Sequence, residues 1–124
     1  MPTYTTYLGV TKLAAGQSNA HVTVNEALDV LDKSIAGRLG INLVGLSTKT
    51  LTGAESTNHI LHVTATDRAC DLVVQATVKS WIVINDGSHT VTVKRSGQTS
   101  PSPPSILAAG IKDLLCDGTN IRQV

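Results

Sequence analysis

Phenylalanine is absent from this chain of 124 residues, and aromatic side chains amount to only 2% of it: Tyr4, Tyr7 and Trp81. A core must therefore be assembled from Val, Ile, Leu and Ala, each of which buries little area. At roughly 25 cal/mol per Å² of apolar surface removed from water, one copy has a modest core, a shortage that association with further copies would relieve. The same scarcity counts against a surface for single-stranded nucleic acid, which relies on aromatic rings interleaved with basic residues. Charge is also thin. Asp, Glu, Lys and Arg make up 15% of the chain for a formal net charge of +1, and the basic residues are scattered, so no field marks a nucleic-acid or membrane-surface binder. No apolar run approaches the roughly 18 residues of a membrane span, and the opening MPTYTTYLGV lacks the basic start and apolar stretch of a signal peptide. The expectation is a soluble protein made in the cytoplasm.

Only two cysteines occur, Cys70 and Cys116. Cys116, among apolar neighbours before a turn, reads as a small buried hydrophobe; Cys70, beside Asp67, Arg68 and Asp71, reads as a thiol in a solvated loop between strands. With nothing to suggest an oxidising compartment, a disulfide is not expected. Neither cysteine has a CxxC companion. His59 and His62, three apart, fall on opposite faces of a strand, and the local composition is strand, so a zinc pair is not expected either. No serine or cysteine lies on a sharp strand-to-helix turn near a histidine, no glycine loop is suited to phosphate, and Asp29 and Asp32 fall on a polar helix face. No enzyme, metal or cofactor is expected.

What the sequence does contain is pattern. Residues 1–21, rich in Thr, Ala, Gly, Ser and Asn, show no sustained period and are expected to form an extended N-terminal arm, ordered against a partner if at all. At HVTVNEALDVLDKSIAGRLG, Thr23 and Glu26 have the spacing of a capping box, and Val24, Ala27, Leu28, Leu31 and Ile35 lie on one face of a helix with Gly37 or Gly40 as its stop. A helix of roughly 13 residues within 22–40 is marginal alone in water, so this stripe must be covered, either by the chain's own sheet or by copies of the helix around a symmetry axis. The remainder, 41–124, reads as a β domain.

Within it, INLVG is a short apolar strand before a Thr- and Ser-rich connection, HILHVTAT alternates, DLVVQATVKSWIVIN holds one or two strands, and HTVTVKR alternates cleanly. Asp86-Gly87 between WIVIN and HTVTV is a type I′ hairpin signal. The proline-rich SGQTSPSPPS interrupts; SILAAG and IKDLLC then flank a turn at Ala109-Gly110, and Asp117-Gly118 closes a last hairpin onto TNIRQV. The consecutive apolar residues Trp81, Ile82, Val83 and Ile84 require cover on both faces of their strand, by the core on one side and by a second sheet, the helix or a neighbouring subunit on the other. Trp81 and Ile84 are the expected core of the β domain. The fold class is mainly β: a small antiparallel sandwich or barrel-like module with one short N-terminal helix.

Two stretches carry a resemblance. AAGQSNAHVTVNEALDVLDKSI, residues 14–35, is similar to an element near the N-terminus of tailed-bacteriophage structural proteins, in which a Gln-rich turn leads into HVTxNEALxxLD and a short helix. WIVINDGSHTVTVKRSGQTSPSPPSILAAGIKDLLCDGTNIRQV, residues 81–124, resembles small β modules of phage fibre and decoration proteins. The resemblance implies a virion component, of the capsid decoration, cement or fibre-base type, commonly homotrimeric and docked to the particle by its N-terminal part. Its partners would then be itself and another virion protein, such as the major capsid protein or a neck or tail protein, with no nucleic acid and no membrane. On this reading Leu28, Leu31 and Ile35 form the subunit interface and Tyr4, Tyr7 and Leu8 anchor the arm on the particle. The alternative is a module of a phage fibre that binds a host-surface glycan through the loop Ser96–Ser105.

Overall fold

The first regular element is the expected helix, longer than its sequence signal. In the computed structural model, which describes residues 3–5 and 10–124, α1 runs from Ala20 to Ala36. Its start is set by Asn19, held in the left-handed region at φ 56°, and not by Thr23. The Thr23 hydroxyl instead accepts from the Gln17 side-chain amide, whose oxygen accepts from Ala14 N–H at 2.7 Å, so the expected capping box does not form. Gly37 ends the helix, donating its N–H to the Lys33 carbonyl at 2.8 Å. A Cβ there would stand 2.4 Å from that carbonyl and 2.6 Å from Asn58 Oδ1, so the chain passes through a gap that only glycine fits.

The β body follows at once: β1 (Arg38–Asn42), β2 (Thr48–Thr50), a single-turn helix α2 (Gly53–Ser56), β3 (Ile60–Ala65), β4 (Cys70–Val73), β5 (Lys79–Asn85), β6 (Val91–Lys94), β7 (Ser105–Ile106), β8 (Ile111–Cys116) and β9 (Ile121–Gln123). The capping box belongs to α2, where Thr52 Oγ1 accepts from Glu55 N–H and the Glu55 carboxylate accepts from Thr52 N–H.

Strands alternate between two sheets. One has the order β1-β3-β5-β8-β9 and the other β2-β4-β6-β7. Within them β1, β3 and β5 are parallel, as are β2, β4 and β6; β7, β8 and β9 join antiparallel. The chain thus climbs as three stacked coils, with Arg38 beside Ile60 and Ile60 beside Ile82 in the first sheet, a period of 22 residues. The mainly-β body with one N-terminal helix agrees with expectation, but its sheets are mixed, not antiparallel. Asp86-Gly87 accordingly makes no hairpin. It turns the chain from β5 in one sheet to β6 in the other, a corner in which buried Asn85 donates to the carbonyls of His89 and Ile106 at 2.8 and 3.0 Å and accepts from Gly87 N–H at 2.9 Å. Asp117-Gly118 does turn a hairpin, between β8 and β9.

The two sheets enclose one apolar core that includes Leu43, Leu61, Val83, Leu114 and Ile121 from one side and Leu51, Leu72, Val91, Val93 and Ile106 from the other. Trp81 is buried there and donates its indole N–H to the Ser56 carbonyl at 2.8 Å. Ile84 is not its core companion. Residues three apart in a strand face opposite sides, and Ile84 is half-buried on the outer face of β5. Cys70 is likewise no loop thiol: it opens β4, buried in the core, and both cysteines are free. Burial pushes both thiols up from their ordinary pKa.

The proline-rich segment closes the far end of the core. Gln98, 2% exposed, accepts from Ile121 N–H at 2.9 Å and donates to the carbonyls of Ile121 and Pro101 at 2.8 and 3.1 Å, so its amide stands in for a neighbouring strand along β9.

Candidate functional site

Two stretches of exposed apolar surface among the described residues stand out, one on the helix and one on a sheet face.

The first is α1, which among the described residues has no extensive packing on either sheet and no buried residue. Its faces differ. Thr23, Ala27, Val30 and Ser34 are half-buried, and Ala27 and Val30 share a small cleft with Val10 and Thr11 of the N-terminal segment, where Val10 is buried and Tyr4 forms an antiparallel bridge with Thr11. Part of the expected arm is therefore folded against the helix. The adjoining stripe is bare: Val24 is 39% exposed, Leu28 57%, Leu31 41% and Ile35 73%. Their spacing of four, three and four residues is that of a coiled-coil seam, narrower than the stripe of a helix that lies on its own sheet. The reading that the chain's own sheet covers this stripe is overturned. Leu28, Leu31 and Ile35 are exposed in the protomer. Of the residues assigned to docking, Tyr4 is 55% exposed, while Tyr7 and Leu8 lie outside the described residues.

The second is the outer face of the five-stranded sheet. Register places Arg38, Ile60, Ile82 and Asp113 in one row across β1, β3, β5 and β8, and Gly40, His62, Ile84 and Ile111 in the next. Ile60, Ile82 and Ile84 are half-buried by their neighbours and Ile111 is exposed. The corresponding row outside the other sheet is Thr48, Asp71, Thr92 and Ser105, polar throughout, with Asp71 paired to Lys94 at 3.5 Å and the hydroxyls of Thr92 and Ser105 bonded at 3.0 Å. One face is made for water; the other is greasy. Among the described residues no element supplies the second cover that the run Trp81–Ile84 demands.

A line of polar side chains crosses this greasy face. Arg38 hydrogen-bonds His62 Nδ1, and His62 Nε2 meets Asp86 Oδ2 at 2.5 Å. Beside it, His59, Ser80 and Asp113 share a cleft of about 300 Å³ with Ile82, Leu114 and Val124. These are the residue types of a nucleophilic relay, but such a relay requires side chains bonded in series. Here the links run through the backbone: the His59 carbonyl accepts from Ile82 N–H at 2.9 Å and the Asp113 carbonyl from Val124 N–H at 3.0 Å. Among the described residues no group of three His, Cys, Asp or Glu side chains is placed to hold a metal ion, and no helix is long and apolar enough to cross a membrane. The loop considered for glycans turns two of its residues inward, Gln98 and Pro104.

The sequence exposed the helix stripe through its period; it missed the sheet-face rows, because these exist only once β1, β3 and β5 are stacked in parallel. Their one signal was a recurrence at 22 residues of apolar alternation, Leu39-Ile41-Leu43 against Leu61-Val63-Ala65, with only the leucine of the first position repeated. Comparisons of the chain with protein families, curated proteins and solved structures return no match.

Proposed function

We propose that this chain is a non-enzymatic structural protein of a tailed-bacteriophage particle, of the capsid decoration, cement or fibre-base type, which self-associates as a homotrimer through α1 and attaches to the particle by its N-terminal part. The observation that carries the reading is the bare seam Val24, Leu28, Leu31 and Ile35 on a helix with no fully buried residue. A helix of 17 residues whose apolar stripe stays in water is held only by its own hydrogen bonds and by the short N-terminal segment on another side, and helices of this length are marginal alone. A second and third copy supply the missing cover by knobs-into-holes packing. The phage assignment and the threefold count rest on the likeness of residues 14–35 and 81–124 to phage structural modules.

Light scattering on the purified protein tests this reading. The expected mass is three protomers of 13.0 kDa or a multiple of three. Leu31→Asp, which sets a carboxylate in the seam, should abolish the threefold assembly while leaving the β body folded. A monomeric wild type, or a mutant of unchanged mass, would overturn it.

A further inference from the structure

The outer face of the five-stranded sheet is complementary to its own reverse. Across its central row run a cation, two isoleucines and an acid: Arg38, Ile60, Ile82, Asp113. Arg38 and Asp113 are both exposed, and neither has an oppositely charged partner within ion-pair distance among the described residues. Take a two-fold axis parallel to the strands and passing between β3 and β5. It lays β1 over β8 of a second copy and β3 over β5, so the row meets its own reverse. Arg38 then faces the second copy's Asp113 at one side and Asp113 faces its Arg38 at the other, with isoleucines against isoleucines between them.

The neighbouring row is complementary in size under the same operation. Gly40, His62, Ile84 and Ile111 meet Ile111, Ile84, His62 and Gly40. Ile111, 64% exposed, is the most exposed of the isoleucines on this face, and the position it would cover is a glycine with no atom beyond its chain neighbours within 4 Å of where a Cβ would stand. We infer that the outer face of the five-stranded sheet is an isologous contact with a second copy of this chain, closed by two reciprocal Arg38–Asp113 pairs and by Ile111 seated over Gly40. Such self-complementarity is what a two-fold interface requires of a single surface. Sheets packed face to face stand about 10 Å apart, a separation that interdigitating isoleucines fill.

The contact is small. Four strands at about 4.8 Å spacing give a patch well below the roughly 800 Å² per partner of an independently stable interface. It is therefore expected to be weak alone and to act where another contact raises the local concentration, joining assemblies already held together elsewhere. This inference deepens the self-association reading but uses a different surface from α1, so the two can fail separately.

The test is a disulfide that only this geometry permits. Within one protomer Gly40 and Ile111 are separated by β3 and β5, three strand spacings or about 14 Å, too far for a disulfide. The double variant Gly40→Cys/Ile111→Cys, oxidised under native conditions, should give a covalent dimer on a non-reducing gel; the two natural cysteines, being buried, serve as the unreactive background. Adding Asp113→Arg should reduce that dimer at least several-fold, and adding Arg38→Asp to the triple variant should restore it by exchanging the charges. The same cross-link should persist with Leu31→Asp, at higher protein concentration, whether or not the helix assembly survives. A folded double variant that gives no covalent dimer, or a dimer indifferent to Asp113→Arg, would overturn the inference.

Discussion

Asp117 shows how much one exposed side chain can organise. Its Oδ1 accepts from the backbone N–H groups of Thr119 and Asn120 at 3.0 and 2.9 Å, and its Oδ2 accepts from Arg122 Nε at 2.8 Å, so the carboxylate knits the β8–β9 turn to the strand that follows. These donors, the Asn120 N–H foremost, lower its pKa from 3.8 to about 2. A carboxylate depressed in the folded state contributes stability that is fully present above the unfolded value of 3.8 and is lost as pH falls through about 2. Asp117→Asn keeps an acceptor for the turn but has no charge to lose. The wild type should exceed this variant in urea midpoint near neutral pH, and the gap should close as pH is taken down from 3.8 towards 2. A gap that does not change with pH would show that the ionised form has no special part in the turn.

Between elements, the decisive feature is the corner after β5. Asn85 caps it from inside, and Thr66 Oγ1 accepts from His89 N–H at 3.0 Å across the passing coil. A Cβ on Gly87 would stand 2.5 Å from that same oxygen, so Gly87→Ala must push two coils apart; the expected loss is about 2 kcal/mol, as for other overpacked sites. Gly53→Ala, at a helical position with open space around it, should be neutral or slightly stabilising and serves as the control in the same urea titration. A corner variant as stable as the control would mean that the coils give way freely there. This corner also marks the limit of what the sequence disclosed. Asp-Gly between two strand-like runs is a hairpin signal because the turn residues tolerate positive φ, yet the apolar pattern of WIVIN and HTVTV says only which faces of each strand need cover and nothing about which strand it pairs with. Gly37 as a helix stop and Asp117-Gly118 as a hairpin were legible because both devices are local. Parallel stacking at a 22-residue offset, the burial of Cys70 and Gln98, and the row Arg38–Ile60–Ile82–Asp113 are products of long-range pairing. No window of a dozen residues contains them.

For the molecule as a whole, one question is whether three coils and an antiparallel finish behave as a single cooperative body. The core argues that they do, since side chains from both sheets pack into one cluster and the last strand is bound through Gln98 to the loop that precedes β7. The two free cysteines make this measurable. Cys70 lies in the four-stranded sheet and Cys116 in the five-stranded sheet, each fully enclosed and each with its thiol pushed up by burial, so neither reacts until the body opens. If opening is global, both thiols should be labelled at one rate, and the free energy inferred from labelling should match that from urea unfolding. If the β8–β9 hairpin opened by itself, Cys116 would be labelled ahead of Cys70, with a shallower dependence on urea because less surface is exposed. Single-cysteine variants, Cys70→Ala and Cys116→Ala, separate the two rates. Equal rates are expected, because freeing Cys116 would also strip Ile121 and Leu114 from a core that holds only one large aromatic side chain and has little apolar area to spare.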